Sequence, residues 1–589
     1  MKTLKYIISV FVLAVCLGSC VGDLNVSPID PSMNTADKAL QTEEDYFALM
    51  AQCYAGFSHS GSYGPNGNNN ISGIDGGFSQ YFRGRYHLNG LTTDEAVCGW
   101  NDQTIQDLHA MSWTTTDVFV AAFYYRIFYQ ISAFNEFLRQ VNKATISLPD
   151  APAWKAEVRA LRAFCWLEAI DNYGNVPFAD ETSAVGAALP EQISRKDLFA
   201  YIESECLELL GGNDLEEAGK GIYGRVNKGM VTMVLAKLYL NAEVYTGENR
   251  YQDCADLLAG LNGKYSLHGK YNELFLADNH KCTDEIIWSV EQDGNNVQSY
   301  GVTNYIIFAC TGGDIDTKEI GISSGWGGLR TTPEFYKNFS TNDKRALFFT
   351  EKEHEAVLRR NYEQHVKETD PKEQKTWEEF TADTKWQQAE IESIGEFSHG
   401  YGMMKFRNIN SDGSKGKHDG FVDTDFPVFR YADALLMLAE CELNGVSCGG
   451  KAAFDAVRAR AGMPAYSGMS KEQLRERIRN ERRIELCFED HRFFDVRRWK
   501  LYDGVTPASE VSKPRYQQVY NLYSMQITVD GGTSYSVIPN SIRPIMTFIT
   551  PRDYLFPIPD SEVKKAPNLK QNPGWEMTES SEEEETPAE

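Results

Sequence analysis

The run from Arg479 to Lys500, "RNERRIELCFEDHRFFDVRRWK", holds seven cationic side chains, five carboxylates, one histidine and four aromatics, with no Gly or Pro. Acids, bases and rings at that density can serve an active site or a nucleic-acid-binding helix. Three further features carry groups with chemistry. "GISSG", Gly321 to Gly325, fits the G-x-S-x-G nucleophile elbow. Asp423 and Asp425 flank Thr424 and offer two carboxylates to a structural calcium. His491 places an imidazole inside the charged run.

Each has a plainer reading. The net charge is −25 with a pI near 4.9, a field that repels phosphate backbones and argues against nucleic acid. On a helical wheel Leu474, Ile478, Ile484, Cys487 and Phe488 share one broad half. The charges alternate at i, i+3 and i+4, so that Glu476, Glu481 and Glu485 gain arginine neighbours along the helix. That is an ion-pair scaffold, in which paired cations have little left to offer a ligand. His491 then reads as a structural helix-end residue. A nucleophile elbow needs an apolar strand before it, and "TGGDIDTKEI" is not one. Two carboxylates alone fall short of a calcium site, so no cofactor is expected. HExxH, Walker and dinucleotide motifs are absent.

The elements that must position any site are mostly helical. Apolar residues recur at helical spacing over 43–57, 117–144, 154–173, 195–210, 225–245 and 251–261. Small and large apolar residues alternate in "ALRAFCWLEAIDNYG" and "MVLAKLYLNAEVYTG", the pattern of stacked tetratricopeptide-like helix pairs. From about 263 to 426 the texture becomes irregular. Pieces with β character ("EIIWSV", "YGVTNYIIFA") lie among Gly-rich turns, and 351–394 reads as a solvated helical insertion. Helices resume at "DFPVFRYADALLMLAECELNG" and "KAAFDAVRARAG".

The chain begins with "MKTLKYIISVFVLAVCLGSC". Two lysines precede an apolar run from Tyr6 to Leu17, too short to span a membrane with ordinary flanks, and it closes on Leu17-Gly18-Ser19-Cys20. This is a lipoprotein signal (1–19), and Cys20 is the expected acylated residue, fixing the chain to a membrane by its acyl chains. A tether follows to 41. One unit is expected over 42–575, then an acidic disordered tail, 576–589. Ten later cysteines show no CxxC or zinc spacing and read as buried thiols.

"ERRIELCFEDHRFFDVRRWK", "DTDFPVFRYADALLMLAE", "NDKRALFF" and "FPIPDSEVKKAPNLKQNPGW" occur in that family's arrangement in the SusD/RagB family of Bacteroidetes outer-membrane lipoproteins, which this chain resembles from the lipobox to Trp575. The resemblance implies a mainly α, SusD-like fold, with tetratricopeptide-like helix pairs supporting an irregular α/β face that binds ligand. It implies a non-enzymatic, cell-surface glycan-binding protein, facing outward from the outer membrane and capping a SusC-like TonB-dependent transporter.

Oligosaccharides present apolar C–H faces and hydroxyl rims, so a site for them needs exposed rings with polar groups beside them. Trp100 precedes Asn101, Asp102 and Gln103, and Tyr300 and Trp326 both adjoin glycines. The family's starch-binding member is similar here: an Arg lies seventeen residues before a binding Trp, as Arg83 does before Trp100, and a Tyr and a second Trp match Tyr300 and Trp326. Its three rings form an arc along an α-glucan. It carries an Asn three residues after the first Trp, where this chain has Gln103. The expected function is capture of starch or another α-glucan. Another polysaccharide, or peptides, are the alternatives within the family, and a surface glycosidase ranks below both, because 83 acids leave room for a carboxylate pair.

Overall fold

In the computed structural model the described residues are 36–501, apart from 63, 66–68, 185, 187 and 188, together with 519–527, 533–542 and 551–576. The expected acylation site Cys20, the signal, most of the tether and the acidic tail from 577 lie outside them.

A row of helices forms the scaffold. Val118–Lys143, Ala151–Asn172, Arg195–Gly211, Lys228–Leu240 and Tyr251–Ala259 pack in succession, except that the last two also carry the row onward to Tyr431–Leu443. Gly450–Arg460 and Lys471–Glu485 then pack on Tyr431–Leu443. The starts are written locally. Asp117 accepts from the amides of Phe119 and Val120, Ser194 from Asp197, and Asn227 from Gly229 and Met230. Ser470 and Gln473 form a reciprocal capping box. In Lys228–Leu240 every residue after the first is buried, as its all-round apolar sequence demands of a central helix.

Two short antiparallel ladders tie the irregular face to this row. Ile286–Val290 pairs with Phe426–Arg430, both buried throughout. Ala96–Cys98 pairs with Leu329–Thr331, with Cys98 opposite Leu329. Ten free cysteines are present among the described residues, all buried except the half-buried Cys448.

The structure corrects three expectations. "YGVTNYIIFA" is not β-like: Val302–Ala309 is a helix buried at every position. A short apolar run without period fits a buried strand and a buried helix equally well, and packing decided. The segment 351–394 is helical only over Glu351–Glu368 and the single turn Trp377–Phe380, and His354, Val357 and Leu358 turn inward.

The third correction concerns the charged run. It is not one helix: Lys471–Glu485 stops, and Arg492–Trp499 starts after a break in which Phe488 and Asp490 take φ of 58° and 63°. Its main partners are not helix neighbours either. Arg482 meets Asp433 at 2.8 Å and Asp495 at 3.1 Å, and Arg492 meets Asp94 at 2.8 Å. Glu485 lies 3.0 Å from both Arg345 and Arg430, while Glu489 lies 2.7 Å from Arg430 and 2.5 Å from Lys405. These groups are buried and link segments far apart in the chain. Left-handed backbone at two non-glycine residues is strained, so the tertiary ion pairs outweigh local helix propensity here. His491 is a buried residue at the start of the second helix, its Nδ1 3.1 Å from Lys237 Nζ. Burial and that ammonium hold its pKa well below the ordinary imidazole range.

Candidate functional site

Arg83 sits on the Tyr81–Asn89 helix, most of whose other residues are buried. Its Nη1 donates to the carbonyl of Gly77 at 2.8 Å and to that of Tyr300 at 3.1 Å. One guanidinium therefore ties two loops together. Its central carbon lies 4.6 Å from the ring centre of Tyr305, 5.8 Å from that of Trp326 and 5.9 Å from that of Trp100. Burial pushes the Arg83 pKa down, and no carboxylate lies within ion-pair distance of it among the described residues. The ring faces add an electrostatic partner to the more distant Asp102 and Asp75.

The Trp326 loop is docked on the end of the buried Val302–Ala309 helix. The Trp326 amide donates to Phe308 at 2.7 Å, that of Gly327 to Thr311 and that of Gly328 to Ala309, both at 2.8 Å. The ladder between 96–98 and 329–331 continues as Gly99 N–H to Gly328 O at 3.0 Å, which lays Trp100 across the same loop. A Cβ on Gly328 would stand 2.5 Å from the Trp100 indole, so only glycine admits the ring. Trp100 Nε1 donates to the Trp326 carbonyl at 3.2 Å.

The structure brings Trp100, Trp326 and Tyr300 together as a contiguous set. Ring centres of Trp100 and Trp326 are 6.3 Å apart with planes at 48°, and those of Trp326 and Tyr300 are 5.7 Å apart at 82°. All three rings are half-buried, and Arg83 lies against the two indoles. Rings turned relative to one another cannot form a flat floor; they offer successive faces along a bend.

The polar residues after Trp100 are arranged less uniformly. Asn101 Oδ1 accepts from Gln106 Nε2 at 2.8 Å, and Gln103 Nε2 donates to Asp107 Oδ1 at 2.8 Å. Asp102 precedes the Gln103–Ala110 helix, exposed, and its carboxylate caps none of the helix amides. Of the three, Asp102 has the acceptor oxygens least engaged by the protein.

Two residues of this cluster escaped the sequence reading. Tyr305 lies beneath Arg83, hidden in sequence by the apolar run that forms the helix. Phe421 stacks on Tyr300, centres 5.9 Å apart and planes at 21°. It follows Gly420, so the ring-beside-glycine signal that marks Tyr300 and Trp326 was available for it.

The carboxylates of Asp423 and Asp425 are taken up by backbone amides. Asp423 accepts from the amides of Gly294 at 2.8 Å and Lys417 at 2.5 Å, and Asp425 from that of Gln292 at 2.7 Å. Burial raises the Asp425 pKa to about 7. Among the described residues no cluster of three or more His, Cys, Asp or Glu could hold a metal. These carboxylates act as acceptors that tie 292–294 to 417–425. Around "GISSG", a four-residue helix, Thr317–Ile320, stands where an elbow requires a strand, and Ser323 donates to the Asp419 carbonyl.

The model of the SusD family matches residues 284–575. The starch-binding protein SusD of Bacteroides thetaiotaomicron is 27% identical over 608 aligned positions, covering 98% of this chain and all of that protein. Among solved structures, surface glycan-binding protein A of Bacteroides thetaiotaomicron in complex with laminarihexaose superposes with a TM-score of 0.63 at 18% identity, covering 90% of this chain and all of that one. A SusD superfamily protein of Parabacteroides distasonis gives 0.62 at 21% identity, covering 91% of this chain and all of its own. Residues 284–575 match the SusD family, and the signature motifs and the fold agree with that match.

Proposed function

We propose that this protein captures starch or another α-glucan at the cell surface and passes it to a SusC-like TonB-dependent outer-membrane transporter. The observation that carries this reading is the contiguous, half-exposed set Trp100, Trp326 and Tyr300, fixed from below by Arg83. A curved run of rings suits a ligand that itself curves, and the C–H faces of successive glucose units match successive ring faces. Asp102, with Asn101 and Gln103 beside it, supplies hydroxyl partners at one edge. The starch-binding relative aligns over nearly the whole chain, which supports the α-glucan over other sugars.

Acylation at Cys20 would hold the protein on the outer face of the outer membrane. No helix among the described residues is long and apolar enough to cross a membrane. Binding without cleavage is the reading proposed for a site built from rings and an arginine.

One protein of similar fold is a laminarin-binding SusD-like protein, which makes a β-glucan the second reading. Isothermal titration against amylopectin, maltoheptaose, laminarin and laminarihexaose decides between them. Binding confined to the laminari-series would replace the α-glucan, and no binding to any of the four would remove the glucan reading. Replacing Cys20 with Ala should release the protein from membranes, and mild-detergent purification of the native protein should co-isolate a large barrel transporter.

A further inference from the structure

We infer that Phe421 is a fourth ring of the platform, contacts the ligand, and sets how long a glycan the site rewards; this rests on the glycan reading above. Four half-buried rings follow one another at nearly even spacing. Phe421 to Tyr300 is 5.9 Å, Tyr300 to Trp326 is 5.7 Å, and Trp326 to Trp100 is 6.3 Å. The first three rings alone would end at Tyr300.

The loop that carries Phe421 is built to hold the ring still. His418 Nδ1 accepts from the amides of Gly420 at 2.8 Å and Phe421 at 3.2 Å. Buried Asn408 donates to the His418 carbonyl at 2.8 Å and accepts from the Asp423 amide at 2.9 Å. Asp423 and Asp425 fasten the loop to 292–294, a few residues ahead of Tyr300. Tyr300 and Phe421 are thus carried by two segments stitched together through buried carboxylates and backbone amides. A ring ordered before binding loses little freedom when a ligand lands on it, so such a ring returns more of its contact energy as affinity. On the exposed side Lys417 Nζ pairs with Asp293 at 2.5 Å, a further tie between the same two segments.

A ring that only props Tyr300 would matter equally for short and long ligands. A ring that contacts the ligand would matter only for those long enough to reach it. Titration of the lipid-free protein with maltotriose and maltoheptaose, and in parallel with laminaritriose and laminarihexaose, separates the two. Phe421→Leu, which keeps apolar volume without a ring face, should lose about three- to tenfold for the longer sugar. It should stay within twofold for the shorter sugar, and Phe421→Tyr should restore the parent's length dependence. Equal losses on both lengths, or no loss on either, would overturn the inference. Thermal unfolding of each variant confirms that the fold is intact. Trp326→Ala is measured alongside. If it abolishes binding while Phe421→Leu keeps the parent's length profile, the fourth ring fails and the platform stands. If Trp326→Ala binds like the parent, the platform itself fails.

Discussion

Arg430 and Arg83 lie in two regions built from the same residue types and put to opposite use. Arg430 is buried among Glu285, Glu485 and Glu489, its guanidinium shared by three carboxylates at 2.5–3.0 Å. Around it Lys405, Arg345, Arg460 and Arg482 are paired in turn, each with a buried acid. Arg83 meets no carboxylate at that range among the described residues; it spends one nitrogen on two carbonyls and lies against three rings. The first region is charge-paired and buried, so it serves to hold the fold. The second leaves ring faces and the carboxylate of Asp102 open to solvent. A conspicuous density of charge marked scaffold, and a sparse set of rings beside glycines forms the surface proposed for the ligand.

The contrast breaks most strongly on the scaffold side. Arg430→Met should destabilise the protein by about 3–5 kcal/mol, because it strands buried carboxylates without a counter-charge. Thermal and denaturant unfolding would measure this, and an unchanged midpoint would mean that the network adds nothing net. On the platform side, the triple substitution Trp100→Ala, Tyr300→Ala and Trp326→Ala should cut glycan affinity by roughly 100-fold or more, with far-UV dichroism unchanged. Parent-like binding by that variant would place the site elsewhere.

The seam between the two regions gives a pH test. Glu95 is buried, and desolvation, with the nearby Asp490 and Asp94 carboxylates adding to it, raises its pKa to about 8. Asp490, also buried, is raised to about 7 despite the neighbouring Arg85. A carboxyl raised in the folded state binds its proton more tightly there than in the unfolded chain. Its contribution is fully present below the unfolded value near 4.3 and is lost as pH rises to about 8. Stability should therefore fall between about pH 5 and 8, by up to about 1.4 kcal/mol per pH unit from Glu95. Glu95→Gln should flatten the slope; an identical slope in the variant would exclude Glu95 as its source.

The smallest effect sharpens the polar edge of the platform. Asp102→Ala should cost about threefold in affinity, the worth of one hydrogen bond. Asn101→Ala and Gln103→Ala should stay within twofold, since those carboxamides are already engaged by Gln106 and Asp107. The reverse order would move the hydroxyl contact to a carboxamide.

The helical row was legible in the chain's residue pattern, because amphipathic periodicity and N-cap residues such as Asp117, Ser194 and Asn227 act within a few residues of the helices they start. The pattern also marked Trp100, Tyr300 and Trp326, because a ring flanked by glycine or polar residues is poorly suited to a helix interior. What those residues meet depends on long-range packing. Helix Val302–Ala309, the break at Phe488 and Asp490, and the cross-chain partners of Arg430 and Arg482 depend on segments far apart in sequence, where local propensity is outweighed by burial and ion pairing. Asp423 and Asp425 show the same limit at the site. Two nearby carboxylates suggest a cation, and the fold instead gave them backbone amides, carried in by a segment more than a hundred residues earlier.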